Sequence, residues 1–170
     1  MLIVADGEDV RDLLPSDDET VRLIHLAGRT EIGEKRNFGC AEAHGSVILH
    51  WDDDDFSAAG RIADQVDRLI ANEKSVTGYG RMRFTDGRHW WQFSGQPGRV
   101  LGTSLCYHRS WWERSKFLSI QIGEDNHFAE NAWCAGQLIT ADAGDLMYAT
   151  IHRENTSPRS LSGSDWRQIS

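Results

Sequence analysis

The stretch GSVILHWDDDD (residues 45–55) places four consecutive aspartates directly after a short apolar run. The apolar residues predict a buried strand at 46–51, in the middle of a sheet. Adjacent carboxylates repel one another, so the run at 52–55 costs free energy unless a cation offsets its charge. In open α/β sheets, ligands bind beyond the carboxyl ends of the strands, which is where this run is expected.

The aspartate run is a candidate site for a hard divalent cation such as Mg²⁺ or Mn²⁺. These ions prefer oxygen ligands and are usually held by one or two protein carboxylates. Residues two apart in an extended chain point the same way, so Asp52 and Asp54 are expected to face one ligand together. The alternative is a solvated acidic loop that caps the next helix. The position after a buried strand favours the cation.

Composition limits the class of protein. The 170 residues suit one domain, and their net charge of −8 argues against binding to nucleic acid. No apolar run reaches the roughly 18–20 residues of a membrane span. Cys40, Cys106 and Cys134 are odd in number and far apart. That spacing disfavours a disulfide framework or a zinc site and favours a reducing cytoplasm.

Strand-like and helical patterns alternate along the first half of the chain. Residues 2–5 and 21–26 predict strands, and residues 31–44 predict a helix. A second helix is expected from an N-cap at Ser57 to about residue 72. Its inward face is expected to be an apolar stripe of Ile62, Val66, Leu69 and Ile70. This alternation is typical of a doubly wound α/β sheet.

The second half adds a hairpin and further strands. Residues 82–93 read MRFTDGRHWWQF, with two β-rich arms around Asp86-Gly87 that predict a hairpin. The other expected elements are a strand at 103–107, a helix at 125–135 and strands at 138–141 and 146–151. We expect one domain over residues 1–154, followed by a loop-like or disordered tail over residues 155–170.

Two further polar segments lie near predicted element ends. The first strand ends in DGED (residues 6–9), so Asp6 is expected to begin a second acidic loop on the same edge of the sheet. Lys35, Arg36 and Asn37 lie near the start of a helix, where basic side chains and free amides favour phosphate. A solvent-facing basic patch is about as well supported for this trio.

Two carboxylates and a histidine complete the candidate site. Glu124 and Asp125 lie at a loop-to-helix junction, where an aspartate either caps the helix or acts as general base on a hydroxyl. His152 follows the last predicted strand and is a candidate neutral imidazole ligand for a metal. A lone histidine is, however, more often simply a polar residue.

Five segments resemble glycosyltransferase family 2, whose members have the GT-A fold of nucleotide-diphospho-sugar transferases. They are LIVADGED (2–9), GEKRNFGCAEAHGSVILHWDDDDFS (33–57), LGTSLCYHRSWWER (101–114), GEDNHF (123–128) and IHRENTSP (151–158). Their order and spacing resemble the family over nearly the whole chain. The resemblance implies a single GT-A-like (Rossmann-like) α/β domain with a mixed, mostly parallel sheet flanked by helices.

The resemblance also implies roles for matching residues. Asp54 is expected to hold the metal, for which His152 is a second candidate ligand. Asp125, paired with Glu124, is the expected catalytic base. The expected contacts to the nucleotide-sugar donor are Asp6, Lys35, Arg36, Asn37, Asp52, Asp53, Gly102 and Thr103. The tryptophans that either stack on sugars or pack in the core are Trp90, Trp91, Trp111 and Trp112.

The function implied by the resemblance is a metal-dependent, inverting glycosyltransferase that uses Mn²⁺ or Mg²⁺. Its donor is expected to be a UDP- or GDP-sugar, and its acceptor a saccharide or another hydroxyl compound. Two alternatives stay open. One is a catalytically silent domain of the same fold that binds nucleotide or a protein partner, and the other is a metal-assisted phosphoester hydrolase.

The sequence departs from the family pattern at its start. It begins at what resembles the family's second strand, so the resemblance implies that the first strand–helix unit is lacking. Ala5-Asp6 stands where the family usually has two aspartates. A sheet edge left unpaired at Met1 would invite pairing with another chain, so a homodimer is also an expectation.

Overall fold

The computed structural model describes residues 1–7, 10–14, 19–156, 161 and 163–169. Glu8 and Asp9 of the predicted second acidic loop lie outside the described residues. The described strands are β1 (Leu2–Asp6), β2 (Arg22–Leu26), β3 (Val47–Leu49), β4 (Phe56–Ser57), β5 (Val76–Thr85), β6 (Trp90–Ser94), β7 (Cys106–His108), β8 (Leu138–Asp142), β9 (Met147–Thr150) and β10 (Trp166–Ile169). The described α-helices are α1 (Ile32–Glu42), α2 (Arg61–Asn72), α3 (Arg109–Arg114) and α4 (Glu124–Cys134).

The central strand is β5. It pairs antiparallel with β6 and β7 along one edge and parallel with β8 and β9 along the other. The ladder with β8 shifts register between Tyr79 and Arg81, as at a β-bulge. Gly80 lies at this shift, where a Cβ atom would be 2.6 Å from the Arg99 carbonyl oxygen. A glycine is therefore needed for the loop at residues 95–100 to cross so close to the strand.

The fold is α/β with a mixed sheet flanked by helices, as expected, but its strand pairings are not mostly parallel. β1 and β2 form a parallel two-stranded sheet, and the other eight described strands form a second sheet. Five of the eight described pairings are antiparallel. The strand–helix alternation that suggests parallel pairing ends after α2. Beyond it, a short turn joins β5 to β6, and a short connection of this kind produces antiparallel neighbours.

The prediction that the strand before the aspartates is central in the sheet is wrong. Among the described residues, β3 pairs only with β7. Ile48 nevertheless packs against a buried cluster that includes Cys40 and Tyr107. An apolar run indicates that the faces of a strand are covered. It does not indicate how many strands flank it.

The prediction for the start of α2 is also wrong. The helix begins at Arg61 after Gly60, so Ser57 is not its N-cap. Ser57 instead belongs to β4, and its hydroxyl accepts a hydrogen bond from Arg61 Nη1 at 2.7 Å. A serine before a helical pattern can satisfy a side-chain donor as well as a backbone amide, and here the side-chain donor is its partner.

The inward face of α2 is polar at two of its three buried positions. Arg61, Gln65 and Leu69 are buried, whereas Ile62 and Ile70 of the predicted apolar stripe are exposed. Gln65 Nε2 donates a hydrogen bond to the Ser104 carbonyl oxygen at 2.6 Å. The helix therefore faces backbone carbonyl groups that need donors, and this requirement overrides the apolar spacing.

The predicted hairpin at 82–93 is confirmed, and α4 confirms the helix predicted at 125–135. The strand predicted at 103–107 starts later, because Gly102–Ser104 forms a 3₁₀ turn before β7.

The tail contains β10, which pairs with β6, so it is not all loop. Trp166 anchors β10, with its ring centroid 4.8 Å from that of Phe84. A four-residue strand carries too little periodicity to be recognised beforehand.

Two buried clusters stabilise the domain. One contains Tyr107, Phe117 and Phe128, and the other contains Tyr79, Met82 and Phe84. The first lies where α1 and α4 pack over the sheet, and it supports the loops that carry the candidate site. No described helix combines the length and the apolar composition needed to cross a lipid bilayer.

Candidate active site

The acidic loop after β3 brings three carboxylates together. Oxygen atoms of Asp52, Asp54 and Asp55 all lie within 4.8 Å of one another, with a turn at 53–54 between them. The expectation that Asp52 and Asp54 face one point is thus confirmed as geometry. The turn adds Asp55, which an extended chain would direct to the opposite side. Asp53 is exposed and outside this group.

Asp55 is held by two hydrogen bonds. Its Oδ2 accepts one from Thr103 Oγ1 at 2.6 Å, and its Oδ1 accepts one from the Thr150 amide at 3.0 Å. These bonds fasten the acidic loop to the 3₁₀ turn and to β9. Burial raises the pKa of both Asp52 and Asp55 above the ordinary value. A bound cation would therefore stabilise ionised forms that burial disfavours.

His152 reaches the same group from the segment after β9. Its Nε2 lies 2.7 Å from Asp54 Oδ2, and Asn155 Nδ2 donates to the same oxygen at 3.3 Å. The two residues predicted as metal ligands, Asp54 and His152, therefore lie side by side. Three carboxylates and an imidazole are a donor set that fits Mn²⁺ or Mg²⁺.

An ion pair joins α1 to the start of α4. Arg36 Nη1 lies 2.7 Å from Glu124 Oε1, without the alignment of a hydrogen bond. The Glu124 side chain is only 5% exposed, and burial raises its pKa while Arg36 opposes that rise. Arg36 also opposes the larger effect of burial on the pKa of Asp52. Its positive charge therefore acts on both the acidic loop and the start of α4.

Asp6 and Lys35 form a pair on the N-terminal side of the site. Asp6 Oδ1 accepts a hydrogen bond from Lys35 Nζ at 2.8 Å, and Oδ2 accepts one from the Thr30 amide at 2.7 Å. The bond to Lys35 is the main cause of a lowered pKa at Asp6. Both side chains keep some exposed surface, so a ligand can still reach this pair.

Asn37 is engaged in packing. Its Oδ1 accepts hydrogen bonds from Trp112 Nε1 at 2.9 Å and from the Phe117 amide at 3.0 Å. Its Nδ2 donates to the Phe117 carbonyl oxygen at 2.8 Å. The amide thus fixes the segment between Trp112 and Phe117 beside Arg36, and its expected contact with the donor stays a prediction.

Gly102 brings the 3₁₀ turn against Asp125. A Cβ atom at residue 102 would overlap the Asp125 carboxylate and would lie 2.7 Å from its Cβ. Asp125 Oδ1 accepts a hydrogen bond from the Asn126 amide at 2.8 Å. The turn that contacts Asp125 is the one whose Thr103 holds Asp55, so one short segment links the predicted base to the acidic loop.

A buried chain of hydrogen bonds supports this turn, and no sequence pattern predicts it. Tyr107 Oη lies 3.1 Å from Cys40 Sγ and 2.9 Å from His50 Nε2, and His50 Nδ1 lies 3.2 Å from the Gly102 carbonyl oxygen. Burial holds the pKa of His50 well below its usual value. The neutral ring therefore donates from Nδ1 to the carbonyl and accepts from Tyr107 at Nε2.

Arg61 is a second residue that supports the 3₁₀ turn, and no sequence pattern predicts this role. Its Nη2 donates to the carbonyl oxygens of His50 at 2.8 Å and Thr103 at 2.9 Å. The guanidinium also lies 5.1 Å from the centroid of the Trp51 ring. Arg61 thus connects the end of β3 to the 3₁₀ turn. An arginine in an amphipathic helix normally indicates a surface position, so the sequence alone predicts an exposed Arg61.

The tryptophans considered as sugar-stacking residues differ in environment. Trp111 and Trp112 are buried, and Trp112 is bonded to Asn37. Trp90 and Trp91 are half-buried in β6. Packing is therefore the role that the structure gives to Trp111 and Trp112.

A family model described as glycosyl transferase family 2 matches residues 2–138, which is most of the chain. No curated protein matches at a significant level.

Several solved structures have the same fold. S. aureus TarS 1–349 in complex with UDP-GlcNAc matches at a TM-score of 0.68 and 17% identity, over 94% of this chain and 52% of that chain. Mannosyltransferase PcManGT from Pyrobaculum calidifontis, in complex with GDP-Man and Mn²⁺, matches at a TM-score of 0.59 and 16% identity, over 80% of this chain and 41% of that chain. The chain thus spans about half of these structures or less, and at such identities the likeness establishes the GT-A fold alone.

Proposed function

Because the chain belongs to glycosyltransferase family 2, we propose that it transfers a sugar from a UDP- or GDP-sugar to an acceptor hydroxyl, with inversion. The observation that carries the proposal is the grouping of Asp52, Asp54 and Asp55 within 4.8 Å. Carboxylates this close repel one another, and a divalent cation with a diphosphate would relieve that repulsion.

Asp54 and His152 are the proposed metal ligands, with Asp52 and Asp55 beside them. When bound, Mn²⁺ or Mg²⁺ supplies positive charge that stabilises the leaving diphosphate. PcManGT, which has the same fold, is described with GDP-Man and Mn²⁺, and TarS with UDP-GlcNAc. These complexes favour a nucleotide sugar as donor and a divalent cation as cofactor for this chain as well.

We assign the remaining donor contacts by charge and position. Arg36 offers a cation near both the acidic loop and Glu124, where a diphosphate would gain from it. We assign the Asp6–Lys35 pair to the nucleoside and the exposed carboxylate of Asp53 to a further contact with the nucleotide sugar. The 3₁₀ turn with Gly102 and Thr103 is assigned to the sugar side of the donor.

Asp125 is the proposed general base. Its carboxylate takes the proton of the acceptor hydroxyl while that oxygen bonds to the anomeric carbon and the bond to the diphosphate breaks. Attack from the side opposite the leaving group inverts the anomeric configuration. Glu124 is buried and paired with Arg36, so we assign it the role of holding the start of α4 in place beside the base.

Turnover of the donor tests this assignment. UDP-GlcNAc, UDP-glucose and GDP-mannose are incubated with the protein and Mn²⁺, and release of UDP or GDP is measured with and without an acceptor mixture. Asp125→Asn should lower turnover at least about 100-fold and leave affinity for UDP and Mn²⁺ unchanged. Asp67→Asn, on the exposed side of α2, is the control and should match the wild type.

A second candidate is a domain that binds the nucleotide without transferring sugar. It is favoured by one observation, which is that Ala5 stands where the family usually has the first of two aspartates. Metal-dependent binding of UDP or GDP with no release from any donor sugar would establish this second function and exclude the first.

A further inference from the structure

A groove between α4 and the 95–100 loop lies beside the proposed donor site. Gly98 packs on the indole of Trp133, where a Cβ atom would be 2.6 Å from the ring, and Gly102 packs on Asp125. The segment from 98 to 102 therefore runs alongside α4 for eight helical residues, or about 12 Å. Between them is a cavity of about 180 Å³, lined by Gly98, Arg99, Val100, Asn126, Glu130 and Trp133.

The polar side chains of this groove are available to a ligand. Arg99, Asn126 and Glu130 are exposed, and their side chains make no hydrogen bond or ion pair with any described residue. Arg99 and Glu130 have opposite charges, yet they line the cavity without pairing. Together the three offer N–H donors and oxygen acceptors with a net charge near zero.

Trp133 adds an apolar surface to the groove. It is 48% exposed, although Phe128 on the same helix is fully buried. An exposed indole offers a flat apolar face and an N–H donor. A flat apolar wall with mixed donors and acceptors is complementary to a sugar ring, which has apolar C–H faces and hydroxyl edges. A phosphate or nucleotide would find no net positive charge in this groove, because Glu130 offsets Arg99.

We propose that this groove binds one ring of an oligosaccharide acceptor. The inference rests on the proposed function, because it supplies the acceptor for Asp125. The cavity is smaller than the about 300 Å³ at which drug-sized sites begin, so it accommodates one ring. Trp133 lies about 12 Å along α4 from Asp125. The reacting hydroxyl therefore belongs to a different sugar unit of the same acceptor chain.

Direct binding of defined sugars tests the inference without donor or metal. Chitotetraose, cellotetraose and maltotetraose are titrated into the full chain by calorimetry, and saturation-transfer NMR follows the sugar protons. At least one tetrasaccharide should bind the wild type. Trp133→Ala should lower its affinity at least about tenfold, whereas Trp133→Phe, which keeps a ring, should retain most of it.

Two further variants show whether a loss of binding comes from the groove itself or from a change in folding. Glu130→Arg changes an exposed residue and replaces the carboxylate acceptor of the groove with a donor, so it should also weaken tetrasaccharide binding. Ile70→Ala removes a side chain that is 66% exposed on α2 and should leave binding unchanged. Absence of binding by all three tetrasaccharides, or equal binding by wild type, Trp133→Ala and Glu130→Arg, would overturn the inference.

UDP and Mn²⁺ are titrated into the same variants. Loss of tetrasaccharide binding with unchanged UDP affinity in Trp133→Ala supports an acceptor site separate from the donor site. GDP is titrated in the same way, and if the wild type binds neither UDP nor GDP, the proposed function fails while the tetrasaccharide titrations still decide whether the groove binds sugar. If UDP binds but no tetrasaccharide does, the inference fails and the proposed donor site stands.

Discussion

Thr103 illustrates how a single neutral side chain can determine the chemistry of a charged group. Its hydroxyl donates to Asp55 at 2.6 Å, and its carbonyl oxygen accepts from Arg61 at 2.9 Å. The side chain therefore sets the position of one carboxylate, and its backbone is fixed by a buried guanidinium. Without the hydroxyl, Asp55 Oδ2 would lose a short hydrogen bond in a half-buried position.

Thr103→Val should weaken metal-dependent nucleotide binding. A hydrogen bond to a charged group contributes about 1.5–3 kcal/mol, so we expect the affinity for UDP with Mn²⁺ to fall about tenfold or more. Thr103→Ser keeps the hydroxyl and should stay within about threefold of the wild type. Both values come from calorimetric titration. Equal affinity in the valine and serine variants would show that Asp55 needs no positioning by Thr103.

The three cysteines should differ sharply in reactivity. Burial raises the pKa of Cys40 to about 11 and that of Cys106 to about 12, whereas Cys134 is exposed. A raised pKa means that the thiolate is scarce at pH 8 and increases only toward pH 11. We expect one fast-reacting thiol with a disulfide reagent at pH 8, lost in Cys134→Ser. Two or three fast thiols in the native protein would contradict the buried environments of Cys40 and Cys106.

At the scale of elements, α2 depends on polar contacts more than its sequence indicates. Arg61 is fully buried and donates to His50, Thr103 and Ser57. The helix is thereby attached to the end of β3, to the 3₁₀ turn and to β4. Removal of the guanidinium would leave several buried oxygen atoms without donors.

Arg61→Met should lower the free energy of unfolding by at least about 3 kcal/mol, because each unsatisfied buried group costs about 1–3 kcal/mol. Arg68→Met, on the same helix, removes a partly exposed i,i+4 pair with Asp64 and should cost under about 1 kcal/mol. Urea denaturation measures both. A loss at Arg61 no larger than that at Arg68 would mean that α2 is held mainly by Leu69.

Sequence periodicity identifies elements well where one pattern acts alone. The 82–93 hairpin has turn residues between β-rich arms, and α4 follows Gly123; both elements form as expected. The inward face of α2 does not follow the apolar spacing of its sequence, because buried backbone carbonyl oxygens there accept hydrogen bonds from Arg61 and Gln65. Hydrogen bonds to distant backbone atoms leave no periodic trace in the sequence, so they are found only from the structure.

At the scale of the whole molecule, the sequence predicts part of the candidate site. The aspartate run and His152 come together as the sequence suggests, because β4, which follows the run, pairs with β9, which precedes His152. The hydrogen bonds that position Asp55, His50 and Arg61 are not predicted from the sequence, since they join residues far apart in the chain. The expected homodimer stays a prediction, which light scattering on the purified protein would check.

The most direct measurement of the central claim is calorimetric titration of UDP and GDP in Mn²⁺, in Mg²⁺ and in EDTA. We predict nucleotide binding that requires the cation and is weakened at least about 100-fold in Asp54→Ala, a loss of about 2.7 kcal/mol. Asp67→Ala removes an exposed carboxylate on α2 and should bind like the wild type. Nucleotide binding that is unchanged in EDTA, or retained in Asp54→Ala, would contradict the account.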